Sequence, residues 1–243
     1  MPPDRHAEGK PQSLGAAHAG AGGLLPCALA ALMCAPQPAQ AQAGPEIGVV
    51  AAVSSEYVAR GMSLSHGRAS PQLRLDLDAG GWYAGAQVAR VRYDYTAPGP
   101  QLLAYGGYAE KLPSGLSWEA GALWSTLGGS AYRYHEVYAG LAGDRLAGRL
   151  YYSPSYYGDA PTIYAELNGS QPLRGALALV GHVGVLRPLG SAADEARSRI
   201  DLRAGLSLGS GNWNVQLALL ASLPRRHGSE APRALQLSAS YGF

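Results

Sequence analysis

Alternation of apolar and polar residues in blocks of about ten is the feature of this chain that most limits its fold. In residues 69–78, for example, Leu73, Leu75 and Leu77 are separated by polar side chains. A period of two residues is typical of a β-strand with one apolar and one polar face, and about ten residues suffice for a tilted strand to cross a bilayer. Such blocks recur up to the last residue, Phe243, and no long segment shows helical spacing. The pattern predicts an all-β protein, an antiparallel transmembrane β-barrel.

The blocks separate into twelve expected strands. Blocks 101–111 and 146–155 are weakly patterned, and Pro154 interrupts the second, so barrels of 10 or 14 strands stay open as alternatives. A soluble β-sandwich also alternates, but a strand content well above that of ordinary globular proteins favours a barrel. The expected strands are 47–60, 69–78, 82–92, 101–111, 116–125, 134–142, 146–155, 162–171, 176–186, 200–208, 212–222 and 234–243.

The connections between these blocks alternate between short and long. Outer-membrane barrels have short periplasmic turns and longer outside loops, and an even strand number leaves both termini in the periplasm. The short set is therefore expected to be periplasmic. Its members are 79–81, 112–115, 143–145, 172–175 and 209–211, against the longer 61–68, 93–100, 126–133, 156–161, 187–199 and 223–233.

The first 43 residues have the pattern of a cleaved secretory signal peptide. Arg5 and Lys10 precede an apolar run at 24–35, and an Ala-x-Ala site ends at Ala43, so the barrel domain is expected at 44–243. The run is too short for a spanning helix. A membrane anchor and a lipoprotein acylated at Cys34 are the alternatives.

Cysteine content and charge exclude several classes of function. Both cysteines, Cys27 and Cys34, fall in the leader, which removes disulfides and thiolate chemistry from the mature chain. The formal net charge of +2 gives no indication of nucleic-acid binding.

Aromatic residues are placed where a membrane protein would need them. Tryptophan and tyrosine favour the two membrane interfaces, because the ring is apolar and its edge can form hydrogen bonds. A barrel strand ending in a terminal aromatic is also expected to be read by the barrel-assembly machinery. The expected girdle residues are Trp82, Trp118, Trp124, Trp213, Tyr241 and Phe243.

The segment 54–85, SSEYVARGMSLSHGRASPQLRLDLDAGGWYAG, resembles the opening of the TorF-type porin family, uncharacterised proteobacterial outer-membrane proteins. The later blocks 105–108, 134–141 and 152–158 look like further blocks of that family. The resemblance implies a barrel and a pore, and it supplies no catalytic residues. The matching positions of the first block are Ser55 (or Ser54), Tyr57, Arg60, Gly61, Ser63, Pro71, Gln72, Gly81, Tyr83 and Gly85.

The polar faces of the strands carry charges of both signs. A charge on the lipid face costs about 2 to 4 kcal/mol near the midplane for Arg or Lys, so these residues are expected to line the lumen. They would form either a salt-bridge network that fills the barrel or a polar channel with a weak constriction. The candidates are Glu56, Arg60, Arg74, Asp76, Asp78, Arg90, Arg92, Glu119, Glu136, Glu166, His182, Asp201 and Arg203.

The dipeptide Arg60-Gly61 is expected at the end of the first strand. Gly61 would let the backbone turn with positive φ, and Arg60 would lie at the outer mouth. A structural role is favoured over ligand binding.

Enzyme and metal sites are not expected. A barrel hydrolase needs a Ser/His pair with an acidic or amide partner. His66 and His227 fall in expected outside loops. His135 alternates with the inward residues of its block and is therefore expected to point outward. His182 is expected to point inward but has no serine on its own strand face. His135-Glu136 makes a poor metal site because adjacent strand residues face opposite ways. No cofactor is expected.

The function expected from the sequence is passage of small polar solutes through a charged lumen in the outer membrane of a Gram-negative bacterium, with outer-membrane lipids as partners. A closed structural or surface-interaction barrel, using loops 187–199 and 223–233 for contact, is the alternative. A lipid-modifying enzyme is the third possibility.

Overall fold

The computed structural model describes residues 45–92, 98–127, 133–156, 160–189, 198–223, 232 and 234–243. The expected leader lies outside the described residues, as do most of the expected outside loops. Among the described residues no helix is long and apolar enough to cross a membrane.

Twelve antiparallel strands close into a barrel, as the alternation predicts. Each strand pairs with its neighbour in sequence, and the first and last strands close the seam through the pairs Ala51 with Tyr241 and Val53 with Ala239. The wall strands are β1 (Glu46–Ser54), β4 (Ser70–Ala79), β5 (Trp82–Val91), β6 (Gly99–Lys111), β7 (Ser117–Leu127), β8 (Arg133–Ala142), β9 (Leu146–Ser153), β10 (Thr162–Arg174), β11 (Leu177–Pro188), β12 (Arg199–Ser210), β13 (Trp213–Leu223) and β14 (Leu235–Gly242).

The strands are joined by tight turns at one end, here called the turn end; the other is the loop end. The turns contain glycines with positive φ, including Gly80 at 59°, Gly175 at 57° and Gly211 at 57°. Glycine adopts these angles without the clash that a Cβ would cause. The short connections predicted from the sequence are therefore present at one end.

Apolar side chains point out of this barrel and polar side chains point in. On β13, Val215, Leu217 and Leu219 are exposed, whereas Asn214 and Gln216 are buried. A soluble protein buries its apolar faces. The reversed pattern gives the wall an apolar outer surface suited to lipid.

The prediction of a first strand over 47–60 is wrong beyond Ser54, where β1 ends. There the chain leaves the wall and forms two short strands, β2 (Val58–Ala59) and β3 (Met62–Ser63), before rejoining the wall at Ser70. Residues 55–69, here called the inner hairpin, contact side chains of strands all around the barrel, as detailed below. The connection 61–68 is therefore part of a segment inside the lumen instead of a long outside loop.

The inner hairpin turns at two residues with positive φ, Arg60 at 48° and Gly61 at 71°. Two consecutive positive φ values are typical of the tight turn that joins β-hairpin strands. The expected positive φ at Gly61 is confirmed. Gly61 also has no room for a side chain, because a Cβ there would lie 2.8 Å from Ser222 Oγ and 2.9 Å from Asp201 Cβ.

Candidate functional site

The tip of the inner hairpin is held by an ion pair with the opposite wall. Arg60 donates from Nη1 and Nη2 to the two carboxylate oxygens of Glu136, each over 2.6 Å. Both side chains are almost fully buried. Burial alone would lower the pKa of Arg60, but the Glu136 carboxylate beside it holds that pKa well above its ordinary value. The pair is charged, bidentate and removed from solvent.

Three tyrosine rings surround the same guanidinium group. The Arg60 Cζ lies 4.4 Å from the ring centroid of Tyr164, 5.0 Å from that of Tyr151 and 5.1 Å from that of Tyr156. These distances are within the range of cation–π attraction. Burial raises the pKa of Tyr156, so its ring carries a neutral phenol. Glu136 and the three tyrosines are here called the cation cage.

Further hydrogen bonds hold the flanks of the inner hairpin. Arg199 donates to the Arg60 carbonyl over 2.8 Å, and Gln236 donates to the Glu56 carbonyl over 2.7 Å. At the base, the backbone N–H of Ser55 donates to the Leu237 carbonyl over 2.8 Å. The hairpin is thus fastened to β8, β12 and β14.

A second polar cluster lies nearer the turn end. Arg149 donates from Nε to Glu119 over 2.8 Å, and Tyr83 donates its hydroxyl to the same carboxylate over 2.9 Å. Arg149 also donates to the Tyr151 hydroxyl over 3.0 Å. Since Tyr151 belongs to the cation cage, the two clusters form one continuous network.

His182 belongs to a third cluster against β12. Its Nε2 lies 2.7 Å from Asp201 Oδ1, its Nδ1 lies 2.8 Å from Asn168 Oδ1, and the Tyr164 hydroxyl lies 3.2 Å from Nε2. These neighbours are an acid, an amide and a phenol. The arrangement joins His182 to the cage through Tyr164 and presents no serine hydroxyl to the imidazole among the described hydrogen bonds.

Four tyrosine rings lie across glycines of adjacent strands. A Cβ at Gly121 would lie 2.6 Å from the ring of Tyr138, so only glycine leaves the ring its place. The inward tyrosines can therefore lie flat along the wall instead of crossing the lumen. The pairs are Tyr83 with Gly107, Tyr105 with Gly85, Tyr138 with Gly121 and Tyr164 with Gly184.

The structure places the expected lumen residues differently from one another. Glu56 and Arg60 are buried in the inner hairpin, and Arg60 lies inside the lumen near the loop end, where its carbonyl accepts from Arg199, the first residue of β12. Wall residues pointing inward and buried are Glu136, Glu166, His182, Asp201 and Arg203, and those inward and half-buried are Arg74, Asp76 and Glu119. Asp78, on the same face as Asp76, is exposed at the turn end, and Arg92 follows the end of β5 and is half-buried.

Arg90 differs from the expectation. It is exposed and shares its face of β5 with Trp82 and Val88, so it points outward. An arginine so near the end of a strand can reach the polar layer beside the hydrocarbon core, where a lipid-facing charge costs only about 0 to 1 kcal/mol. Because Arg90 is only one residue before the end of β5 at Val91, the energetic cost that would keep a charge inside the lumen does not apply to it.

The other histidines, His66, His135 and His227, differ in how their positions compare with the sequence predictions. His135 is exposed and outward-facing, as its parity predicts. His66, expected in an outside loop, lies in the inner hairpin with φ of 52°. His227 lies outside the described residues.

Several lumen residues were missed by the sequence reasoning. Arg149 and Tyr151 alternate with outward residues on β9, and their parity alone would have placed them inside. The weak alternation of block 146–155 hides this parity in the sequence. The sequence predicts a loop over 187–199, but Arg199 begins β12 and is buried.

The girdle aromatics cluster at the turn end. The ring of Tyr108 lies 5.2 Å from that of Trp82 and 5.8 Å from that of Trp118. Tyr241 contacts Trp213 at 5.0 Å and Phe243 at 4.8 Å. Trp124 is exposed in the half of β7 nearer the loop end. The aromatic residues therefore occupy two levels of the outer surface.

Comparison with known proteins gives one family and several similar solved structures. The family described as "Bacterial protein of unknown function (Gcw_chp)" matches residues 38–221. The solved KdgM porin has 14% identity and a TM-score of 0.53, over 81% of this chain and 99% of that chain. A membrane protein studied for in-meso crystallization has 11% identity and a TM-score of 0.52, over 82% of this chain and 83% of that chain.

An outer membrane channel from Pseudomonas putida F1 has 13% identity and a TM-score of 0.47, over 84% of this chain and 96% of that chain. No match was found among curated proteins. At these identities the likeness to solved structures concerns the barrel fold alone.

Proposed function

This chain belongs to the Gcw_chp family of bacterial proteins of unknown function, and we propose that it is an outer-membrane channel for small polar solutes, closed at rest by its inner hairpin. In this proposal the turn end faces the periplasm and the apolar outer surface contacts lipid. The two levels of aromatic residues support that placement. The resemblance of residues 54–85 to TorF-type porins, and the likeness of the fold to the KdgM porin, are consistent with it.

The proposal rests mainly on what fills the lumen. The loop-end half is occupied by a chain segment, residues 55–69, and not only by side chains of the wall. Part of the wall carries small polar inward residues, such as Ser207, Ser238 and Ser240. Moving one segment would remove the filling of the loop-end half without altering the wall.

The contacts that hold the hairpin support a reversible closure. The tip is fixed by the ion pair of Arg60 with Glu136, and the flanks by hydrogen bonds such as that of Gln236 to Glu56. Polar contacts exchange for contacts with water at a modest net free energy. The hairpin also contributes Tyr57, Ala59 and Leu64 to the buried apolar cluster of the lumen, so opening must break apolar contacts together with the polar ones.

Conductance in planar bilayers tests the proposal. The variant is an excised barrel in which residues 55–69 are replaced by Asn-Gly. Ser54 already pairs with Ser70, so a two-residue turn can join β1 to β4 without changing the register. We expect brief, rare openings for the wild-type protein and sustained current for the excised barrel.

A folded excised barrel that carries no current would refute the channel. Folding is checked by the shift in electrophoretic mobility that intact barrels show when samples are left unheated. Arg145→Ala, at an exposed position in a turn, is the matched control and should conduct like the wild-type protein.

A closed structural or surface-interaction barrel is the second candidate. The near-complete burial of Glu56, Tyr57 and Arg60 favours it, because such burial leaves little space beside the hairpin. The same experiment separates the two: current through the excised barrel, together with a wild-type protein that never opens at any applied voltage, would favour the closed barrel.

A further inference from the structure

The cation cage has the composition of a binding site whose ligand is part of the protein. The Glu136 carboxylate lies on one side, and the faces of Tyr151, Tyr156 and Tyr164 lie around the guanidinium group of Arg60. All four cage residues belong to the wall or follow a wall strand. Arg60 alone belongs to the inner hairpin, so departure of the hairpin would empty the cage and leave its walls in place.

We propose that the cation cage is a binding site for organic cations with a guanidinium or ammonium head group, and that Arg60 occupies it as an internal competitor. A solute of this class would displace Arg60 and release the inner hairpin. Solute binding and opening of the lumen would then be coupled. The second half of this inference rests on the proposed channel, whereas the binding site itself does not.

The geometry indicates which cations would bind best. Glu136 accepts two parallel N–H···O bonds of 2.6 Å, an arrangement that a planar guanidinium matches and a single ammonium does not. The aromatic faces favour weakly hydrated organic cations. We therefore expect guanidinium to bind more tightly than methylammonium, and sodium to bind least. Urea has the planar shape without the charge, which makes it a suitable negative probe.

The binding site is tested by chemical rescue of Arg60→Ala in purified, refolded protein. Guanidinium chloride at about 1 to 50 mM spans the affinity expected of one small cation. We expect it to raise the unfolding temperature of Arg60→Ala above that in sodium chloride of equal ionic strength. Urea should give no rise, and the double variant Arg60→Ala, Glu136→Gln should lose the response. Arg60→Lys, which keeps a charge in the cage, is the second variant if Arg60→Ala does not fold.

Arg74→Ala is the matched control, because Arg74 pairs with Asp76 at 2.8 Å and takes part in none of the cation–π contacts among the described residues. An unfolding temperature of Arg60→Ala that responds equally to guanidinium and sodium would overturn the site. A rescue of equal size in the Glu136→Gln background would overturn it too, because the carboxylate is the anchor of the proposed site. For Arg60→Lys, the unfolding temperature should still rise more in guanidinium than in sodium chloride, because lysine meets Glu136 with a single ammonium group, and equal responses to the two salts would count against the site.

The coupling is tested by labelling a cysteine in the inner hairpin of otherwise wild-type protein. Ser63 is 1% exposed, and both native cysteines precede residue 44, so Ser63→Cys gives one reporter thiol in the mature chain. We expect guanidinium to increase its rate of maleimide labelling by about tenfold, as the populations of bound and released hairpin shift. Sodium should not change the rate. A rate independent of guanidinium would refute the coupling.

The two proposals fail separately. Rescue of Arg60→Ala with no current through the excised barrel would retain the binding site and refute the channel. Current without rescue would retain the channel and refute the site.

Discussion

Glu136, on wall strand β8, accepts hydrogen bonds from both terminal nitrogens of Arg60, a residue 76 positions earlier in the chain. This pair joins the tip of the inner hairpin to the wall opposite its origin. Because both side chains are buried, neither has solvent to replace its partner.

Glu136→Gln is expected to lower the free energy of unfolding by about 3 to 5 kcal/mol, the usual cost of leaving one member of a buried ion pair without its partner. Urea titration followed by tryptophan fluorescence measures the change. Arg145→Ala, which loses one exposed hydrogen bond to Gln171, should change it by less than about 0.5 kcal/mol. An equal effect of both substitutions would contradict the importance given to the pair.

Gly61→Ala is expected to displace the hairpin turn, since the added Cβ meets Asp201 and Ser222 and the positive φ disfavours alanine. Strain and overpacking of this kind cost about 1 to 3 kcal/mol each. Protection of the hairpin from proteolysis should fall. Gly48→Ala, where a Cβ would meet nothing within 4 Å, should leave protection unchanged; loss of protection in both variants would point to a general defect.

Gly121→Ala is expected to displace the Tyr138 ring and the neighbouring strand, because the new Cβ would lie 2.6 Å from that ring and 2.5 Å from the Gly106 carbonyl oxygen. The near-ultraviolet circular dichroism of the tyrosines should change, and the unfolding temperature should fall. At Gly181 the nearest atom to a new Cβ lies 4.0 Å away. Gly181→Ala should therefore keep the wild-type spectrum, and a lost signal there would argue against the tyrosine–glycine contact as the cause.

Arg74→Glu in the excised barrel is expected to shift ion selectivity toward cations, because Arg74 lies half-buried on the inward face of β4. The reversal potential across a salt gradient measures the shift. Arg90→Glu makes the same change of charge on the outward face of β5 and should leave the reversal potential unchanged. If the two variants shift it equally, inward position is not what determines selectivity.

Deletion of Phe243 is expected to reduce the amount of folded barrel in the outer membrane without blocking export. Its backbone N–H donates to the Val49 carbonyl over 2.9 Å, and its ring packs on Tyr241. The terminal aromatic is also the feature proposed to be read by the barrel-assembly machinery. Quantifying the protein in membrane and periplasmic fractions checks this, and Phe243→Trp should restore wild-type levels. Normal levels after deletion would remove the proposed role.

The wall of this barrel follows from side-chain parity, which can be read in the sequence. Leu217 and Gln216 face opposite sides because neighbouring residues of a strand must do so. Twelve strands and their tight turns were predictable for this reason. Parity also places Arg149 and Tyr151 correctly once the strand is recognised.

The inner hairpin was not predictable from parity. Residues 55–60 continue the alternation of β1, and a charged residue such as Glu56 or Arg60 suits a lumen whether it comes from the wall or from a segment inside it. Only the three-dimensional register, which brings Arg60 to Glu136, separates the two cases. The partner of Arg60 cannot be inferred from the sequence alone, because the contact spans the width of the barrel.

The bonds between Ser55 and Leu237 have a mechanical consequence. Ser55 donates its backbone N–H to the Leu237 carbonyl, and its side chain accepts from the Leu237 N–H over 3.0 Å. This double link lies where the first and last strands meet, and it fixes a pivot before residue 56. A swing of the hairpin about that pivot would leave the pairing of β1 with β14 intact. The hairpin could therefore move without breaking the hydrogen bonds that close the barrel.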